Sequence, residues 1–253
     1  MSWRLSAASV IGSSHIDKGT ACEDSCLAFV ENTLEQQPLL VVLVADGAGS
    51  ALHGGEGSEL AVAAAAEFLS AQLAQPGFML GDELALACVE YVRAKIQTLA
   101  DGRALQPRDF AATFLAVLAL PESTLAFQIG DGGIVLDMGT GLEVPVVPMN
   151  GEYANMTCFI TDGNAPEVLV SRLYAAGASK VAVFSDGLQR LALNLASNTA
   201  HEPFFTPFFS RLASIGPEQE DEYQIGLVNF LGSPAINERT DDDKTLALAV
   251  WVE

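Results

Sequence analysis

The sequence predicts a single α+β domain in which two antiparallel β-sheets pack face to face with helices outside them. Predicted strands come in runs and predicted helices come in runs, without the strict alternation of an α/β fold. The chain has 253 residues, of which 50% are hydrophobic, so it can bury a large core. Neither a repeat nor a Pro/Ser-rich linker divides it, which predicts one domain over residues 1–253.

The first third of the chain predicts three strands followed by two helices. Short apolar runs bounded by polar residues indicate the strands, and the first of them is expected at a sheet edge. Apolar side chains at helical spacing indicate the helices, which Pro76-Gly77 separates. The predicted strands are residues 3–11, 26–30 and 39–45, and the predicted helices are residues 58–73 and 82–100.

The middle of the chain predicts five further strands, and the last part predicts helices before one closing strand. The strands are expected at residues 110–120, 124–129, 134–138, 169–174 and 180–185. The helices are expected at residues 187–195, 202–215 and 218–230, and the closing strand at residues 245–252. Residues 145–165 are polar and irregular, and we expect the segment 149–166 to be a flap that selects substrate.

The charge of the chain excludes some classes of partner. It carries 12 Lys and Arg against 32 Asp and Glu, a net charge of −20. Nucleic acids and anionic membranes need basic surfaces, so neither is expected to bind, whereas a basic protein segment or divalent cations would suit. The four cysteines form no C-x-x-C pair, and neither a signal peptide nor a membrane-spanning stretch stands out. These observations predict a cytoplasmic protein with reduced thiols.

Five Asp-Gly pairs can each be a turn or part of a site. Asp46 and Asp186 both end a buried apolar strand and lead into a helix, so a hairpin turn does not explain them, and we interpret them as site residues. Strands flank Asp131 on both sides, which leaves a hairpin turn and a site equally open. Asp101 and Asp162 are interpreted as turns.

Two further acidic clusters precede strands. Asp241, Asp242 and Asp243 stand immediately before the closing strand, and Glu23-Asp24 stands before the second strand. The three adjacent carboxylates of the first cluster repel one another unless they are solvated or neutralised. The cluster is therefore either a solvated loop or a site for a hard divalent cation, which prefers oxygen ligands.

The order of these motifs resembles the PP2C (PPM) family of metal-dependent protein phosphatases, and it is most similar to the compact bacterial members. The likeness covers nearly the whole chain. The motifs are Ser14-His15-Ile16, Glu23-Asp24, Asp46-Gly-Ala-Gly-Ser50, Ala112-Thr113-Phe-Leu-Ala-Val, Gly130-Asp131-Gly132, Ser185-Asp186-Gly187-Leu188 and Asp242-Asp243-Lys244-Thr245. The resemblance implies a four-layer α-β-β-α sandwich. It also implies hydrolysis of phosphoserine and phosphothreonine on proteins that a Ser/Thr kinase has modified, by a monomeric signalling enzyme.

The resemblance also implies a role for each candidate residue. The expected catalytic residues are Asp46, Asp186 and Asp242, which would hold two Mg²⁺ or Mn²⁺ ions that activate a water for in-line attack. Asp46 would bridge the two ions, the Gly47 carbonyl would bind the first, and Asp186 and Asp242 the second. Glu23 and Asp24 would act through metal-bound waters, and Asp131 would join Asp186 at a third, looser ion. Thr113 matches a family threonine near the site, although a buried strand threonine also explains it.

Two positions depart from the animal members of that family. Gly19 stands where they place a phosphate-binding Arg, and Lys18 or His15 could replace it. Ala48 stands where they place a general-acid His, and His53 or a metal-bound water could protonate the leaving group instead. These departures keep an alternative open, in which the chain is a weakly active or inactive module of the same fold that binds phosphoproteins.

Overall fold

Two five-stranded antiparallel sheets form the centre of the computed structural model, which describes residues 2–148 and 157–252. The first sheet contains, in spatial order, β1 (Ser2–Val10), β12 (Lys244–Val252), β9 (Lys180–Phe184), β6 (Gly133–Asp137) and β7 (Leu142–Glu143). The second sheet contains β2 (Asp24–Asn32), β3 (Pro38–Asp46), β4 (Phe114–Leu120), β5 (Ser123–Ile129) and β8 (Val170–Tyr174). Two short strands, β10 (Leu193–Asn194) and β11 (Thr199–Ala200), pair with each other.

Helices cover the outer face of each sheet, as predicted for a four-layer α-β-β-α sandwich. The helices are α1 (Ser13–Lys18), α2 (Gly54–Leu73), α3 (Asp82–Arg103), α4 (Ala165–Val168), α5 (Gln189–Ala192), α6 (Glu202–Ser214), α7 (Glu220–Leu231) and α8 (Pro234–Asn237). Side chains of α2 and α3 pack against the second sheet, and side chains of α6 and α7 pack against the first. Among the described helices, none is long and apolar enough to cross a membrane.

The strand β3 shows why apolar runs without alternation become central strands here. Its odd-numbered side chains, such as Leu39, Val41 and Leu43, belong to the apolar layer beneath α2 and α3. Its even-numbered side chains, such as Val42 and Val44, belong to the layer between the two sheets. Because neighbouring side chains point to opposite faces of a strand, a strand buried on both faces must be apolar throughout.

Several predicted elements have different limits in the structure. The strand expected at residues 110–120 begins only at Phe114, because residues 107–110 form a 3₁₀ turn that starts at a proline. The helix expected at residues 187–195 is a 3₁₀ turn followed by the single turn of α5, and it ends where β10 pairs with β11. Asp101 lies in the last turn of α3 and not in a separate turn, whereas Asp162 lies in a bend as predicted.

The link around Asp131 is not a hairpin turn. The strand before it, β5, belongs to the second sheet, and the strand after it, β6, belongs to the first, so residues 130–132 carry the chain from one sheet to the other. Gly130 has φ +116°, and a Cβ there would lie 2.6 Å from the Thr113 side chain. Glycine is therefore needed at this crossing, which holds Asp131 between the two sheets.

Candidate functional site

The candidate site lies at one edge of the sandwich, where two antiparallel strand pairs bring acidic residues together. In the second sheet, Asp24 at the start of β2 is the register partner of Asp46 at the end of β3. In the first sheet, the end of β9 adjoins the start of β12, which brings Asp186 close to residues 242 and 243. A Cβ on Gly187 would lie 2.0 Å from the Asp243 carbonyl oxygen, so these two segments touch through their backbones.

A cleft of about 490 Å³ opens at this edge. Four of the predicted acidic residues, Asp46, Asp131, Asp186 and Asp242, line it together with Gly47. The lining also includes Thr113, Asp241 and residues 48–50. Among the described residues, the basic side chains that line the cleft are those of His15 and Lys18. Thr157 and Phe159 also line the cleft. The flap expected over residues 149–166 stays a prediction, because residues 149–156 lie outside the described residues.

Asp24 lies behind the cleft and does not line it. Its side chain is buried, and its Oδ2 accepts hydrogen bonds from the Ser185 and Thr245 hydroxyls, each at 2.7 Å. Both hydroxyls come from the opposite sheet, so the Asp24 carboxylate ties the two sheets together at the base of the site. Its Oδ1 is buried and has no hydrogen-bond partner among the described residues.

Thr113 fixes the backbone of Asp46 from both sides. The Asp46 amide donates to the Thr113 hydroxyl at 3.0 Å, and the Thr113 amide donates to the Asp46 carbonyl at 2.8 Å. Thr113 is almost fully buried, as expected of a threonine next to a strand. Its role in this structure is therefore to hold the residue that precedes Gly47 in a single orientation.

Gly47 lies in too little space for any side chain. A Cβ there would lie 2.4 Å from the Gly54 carbonyl carbon and 2.8 Å from the Glu23 carbonyl oxygen, both backbone atoms. The Gly47 amide donates to the Glu23 carbonyl at 3.0 Å. Glu23 thus supports the site through its backbone, and its side chain is not part of the described lining of the cleft.

The Asp46 and Asp186 side chains both line the cleft, and the charge of Asp186 disfavours ionisation of Asp46. Two ionised carboxylates in one partly buried site repel each other, so both groups resist losing their protons. Burial raises the pKa of Asp46 well above its usual range, and the charges of Asp24 and Asp186 raise it further. Burial likewise raises the pKa of Asp186 to about 6, with the charges of Asp131 and Asp242 adding to the rise.

These residues suit a divalent cation. The Oδ1 atoms of Asp24 and Asp186 are buried without a hydrogen-bond partner in the described part of the chain, which leaves oxygen lone pairs free at the site. Hard cations such as Mg²⁺ and Mn²⁺ take carboxylate, carbonyl and water oxygens. Among the described residues, no three acidic, His or Cys side chains are already gathered around one point. The raised pKa values of Asp46 and Asp186 indicate that retained protons relieve part of their repulsion in the metal-free protein.

Asp131 is held on both its side chain and its backbone. Its Oδ2 accepts a hydrogen bond from the Thr157 hydroxyl at 2.7 Å. Its carbonyl accepts one from the Gln189 side-chain amide at 2.9 Å, which connects it to α5 just beyond Asp186. No motif or spacing in the sequence indicates these roles of Thr157 and Gln189.

Asp243 acts as a structural brace, a role that the sequence analysis missed. Its Oδ1 accepts the Gly12 amide and its Oδ2 accepts the Glu23 amide, both at 2.6 Å. The His15 Nδ1 lies 3.0 Å from Oδ2 and 3.1 Å from the Ala21 carbonyl. Since both neighbours of Nδ1 are acceptors, this nitrogen must carry the proton. The third aspartate of the triplet thereby fastens α1 and the Glu23 segment to the start of β12.

Of the residues considered as general acid or phosphate anchor, two line the cleft and one does not. Lys18, at the end of α1, and His15 both line the cleft. His53 does not line it: its ring stacks on Phe110 at 5.2 Å between ring centroids, and its Nδ1 lies 3.6 Å from Glu56. His53 immediately precedes α2 and is placed at the start of that helix, away from the cleft.

The buried carboxyls predict a characteristic pH dependence for the metal-free protein. Burial raises the pKa of Asp24 to about 7, against the opposing hydrogen bonds from Ser185 and Thr245. The folded state thus binds protons that the unfolded chain, with carboxyl pKa values near 4, has lost. The stabilisation is full below about pH 4 for these groups and is lost as the pH rises towards about 7, so unfolding should become easier across this window.

Urea unfolding of the chelator-treated protein at a series of pH values measures this effect. The free energy of unfolding should fall by several kcal/mol between about pH 4 and about pH 7, and Mn²⁺ should restore it at the upper end. Asp24→Asn should flatten the fall. A metal-free protein that becomes more stable as the pH rises through this window would contradict the assignment of these pKa shifts.

Comparison with known proteins identifies the family of the chain. The sequence profile of protein phosphatase 2C matches residues 11–231. The serine/threonine-protein phosphatase 3 of Escherichia coli (strain K12) is 51% identical over 253 residues, which covers 100% of both chains.

Solved structures agree on the fold. The serine/threonine phosphatase Stp1 from Staphylococcus aureus matches with a TM-score of 0.62 at 12% identity, over 99% of this chain and 96% of that one. The catalytic domain of the serine/threonine protein phosphatase PstP, solved in complex with two manganese ions, matches with a TM-score of 0.62 at 20% identity, over 99% of each chain. At such identities the likeness supports the fold alone. The profile match and the similarity to the E. coli phosphatase extend over most or all of the chain, and the chain therefore belongs to the protein phosphatase 2C family.

Proposed function

We propose that this protein removes phosphate from phosphoserine and phosphothreonine residues of protein substrates in a reaction that depends on divalent cations. One observation carries the proposal: Asp46, Asp131, Asp186 and Asp242, which lie far apart in the chain, line one cleft at the edge of the sandwich. Family membership and the E. coli relative's activity, as its name gives it, support the same reaction.

The proposed ligands follow the positions of these residues. Asp46 and the Gly47 carbonyl would hold the first Mg²⁺ or Mn²⁺ ion, and Asp46, Asp186 and Asp242 the second. Asp131 with Asp186 would hold a third, while Glu23 and Asp24 would support the site from behind. Bound divalent cations neutralise phosphate charge and lower the pKa of a coordinated water, which makes it a nucleophile near neutral pH.

The other residues of the chain orient this acidic set and bind the substrate's phosphate. Thr113 holds the Asp46 backbone, Ser185 and Thr245 hold Asp24, and Gln189 holds the Asp131 carbonyl. Lys18, which lines the cleft next to Gly19, would bind phosphate oxygens instead of the arginine that animal relatives have at the position of Gly19. Such positioning matters because charge stabilisation is effective only when the groups need not reorganise during the reaction.

Hydrolysis of p-nitrophenyl phosphate and of a phosphothreonine peptide tests the proposal. Protein treated with a chelating resin should be inactive, and Mn²⁺ or Mg²⁺ should restore turnover on both substrates, whereas Ca²⁺ serves as a comparison ion of larger radius. Turnover by the metal-free protein that cations do not raise would contradict the proposal. Tight cation binding without turnover would favour the alternative of a phosphoprotein-binding module, which neither the family match nor the relative supports.

Lys18→Met tests the proposed phosphate anchor. Removing the cation should raise KM for p-nitrophenyl phosphate about tenfold with little change in kcat, since the contact would form equally in the bound substrate and the transition state. Lys95→Met is the matched control, because Lys95 pairs with Glu67 on the surface and does not line the cleft. An unchanged KM in Lys18→Met would remove Lys18 from the binding machinery.

The setting of the enzyme is also part of the proposal. We place it in the cytoplasm as a monomer that acts on substrates of a Ser/Thr kinase, and its four cysteines, all free thiols, are in line with a reducing compartment. Residues 1–253 are taken as one functional unit, since β1 pairs with β12 along its whole length. The segment around Thr157 and Phe159 would contribute to substrate selection.

A further inference from the structure

A second cleft, of about 520 Å³, shares no lining residue with the acidic cleft. It is formed by α5, the β10–β11 hairpin, the first turn of α6 and α8. Its described lining includes Arg190, His201 and Arg239, and no Asp or Glu. The chain has 12 Lys and Arg against 32 Asp and Glu, so a cleft lined by basic and not by acidic side chains is unexpected from its composition.

The two arginines of this cleft have no carboxylate partner among the described residues. Carboxylates neutralise some basic side chains of the chain, since Arg103 pairs with Glu56 and Lys180 pairs with Asp137. Neither Arg190 nor Arg239 takes part in any ion pair found within the described part of the chain. Unpaired guanidinium groups offer a planar fork of donors that matches a phosphoryl group.

The rest of the lining is largely apolar, with Leu191, Phe204 and Ile236 contributing. Apolar walls with a few converging polar groups, in a volume of a few hundred Å³, are typical of sites for small molecules. The net charge of −20 would repel an extended acidic macromolecule. A compact anion feels mainly the charges beside it, because salt screens charges beyond about 8 Å at physiological ionic strength.

We propose that this basic cleft, formed around Arg190, His201 and Arg239, binds a small organic anion that carries a phosphoryl-like group next to an apolar group. The cleft is connected to the acidic site through α5. Arg190 directly follows Gln189, whose side chain donates to the Asp131 carbonyl, and α5 begins within a turn of Asp186. The inference does not require the phosphatase reaction, because it concerns residues that do not line the acidic cleft.

Phenylphosphonate is a suitable probe, because its phosphorus–carbon bond is not a phosphate ester and a phosphatase does not cleave it. The full-length protein, freed of metal on a chelating resin, is titrated with phenylphosphonate and followed by calorimetry and ligand-observed NMR. In this form the carboxylates of the acidic cleft have no cation to offset them and repel the probe. Binding should be saturable, and a variant with both Arg190→Gln and Arg239→Gln should bind at least about tenfold more weakly.

Arg211→Gln is the matched control, since Arg211 is an exposed arginine of α6 that lines neither cleft. It should leave the affinity unchanged, and thermal unfolding should show that all variants keep the fold. Absence of saturable binding by the wild-type protein, or equal binding by the double variant, would overturn the proposal. Inorganic phosphate should bind more weakly than phenylphosphonate, and equal affinities would overturn the assignment of an organic ligand. These outcomes are independent of whether the metal-loaded enzyme hydrolyses phosphoproteins.

Discussion

Asp46→Asn is expected to lower kcat for p-nitrophenyl phosphate by about 10³-fold, the scale seen when one preorganised charge-stabilising group is lost. Asp46 combines two properties that suit it to a reaction centre. Its backbone is held on both sides by Thr113, and its side chain lines the acidic cleft together with Asp186. Asparagine keeps the shape of the side chain but removes the charge that would bind a cation, so the fold should persist while turnover is lost.

Asp101→Asn is the matched control for this variant. It changes the same residue type in another Asp-Gly pair, but Asp101 is exposed at the end of α3 and does not line the cleft. Its turnover should equal that of the wild type. Circular dichroism and Mn²⁺ titration complete the measurement, because the Asp46 variant should keep its fold and bind Mn²⁺ more weakly. Full turnover in Asp46→Asn would exclude the proposed reaction centre.

Asp243→Ala is expected to lower the free energy of unfolding by roughly 3–5 kcal/mol, because it leaves two buried or half-buried amides without their charged acceptor. The amides are those of Gly12 and Glu23, and each lies 2.6 Å from a carboxylate oxygen of Asp243. The His15 ring loses the same partner. The start of the chain, α1 and the Glu23 segment should therefore loosen together, and urea unfolding in the presence of chelator measures the cost without a contribution from bound cations.

Asp241→Ala provides the comparison, since Asp241 belongs to the same acidic triplet but is exposed. Its only described role in holding α1 is through its backbone carbonyl, which accepts the Ser14 amide and survives the substitution. It should change stability little. If both variants lost the same stability, the cause would be the altered charge of the triplet. The hydrogen bonds of Asp243 to the Gly12 and Glu23 amides would then not explain the loss.

The layers of the fold could be predicted from the sequence because each apolar run had a clear period or was apolar throughout. The unbroken apolar run of β3 predicts a strand that is buried on both faces, and its side chains do belong to two apolar layers. The helical spacing of apolar residues in α2 and α3 predicts the helices that pack on the second sheet. The limits of elements were less predictable where another local structure interrupts the apolar pattern. The strand β4 begins only at Phe114, after a 3₁₀ turn that starts at a proline, and α5 ends at Leu193, where β10 pairs with β11. The family of the chain, proposed from motif order, is confirmed by comparison.

The candidate site was predictable where a strand end alone determines the position of a residue. Asp46 and Asp186 follow this rule, and both line the cleft. Asp242, which only the family resemblance singled out from the acidic triplet, lines it as well. The environment of Asp131 was not predictable, because the pattern of two flanking strands does not reveal that they join different sheets. It was also not predictable that Asp242 lines the cleft while Asp243 accepts backbone amides. The two residues are adjacent and of the same type, and only their contacts with Gly12 and Glu23 in the folded chain distinguish them.

The acidic cleft draws its residues from both sheets, and this has a consequence for how the protein assembles. Asp46 ends a strand of the second sheet, whereas Asp186 and Asp242 flank strands of the first. An ion held by both groups would act as a reversible cross-link between the halves of the sandwich, comparable in place to a disulfide across two sheets. Cations would then bind only after the halves have met, and their concentration would set how tightly the finished protein stays closed.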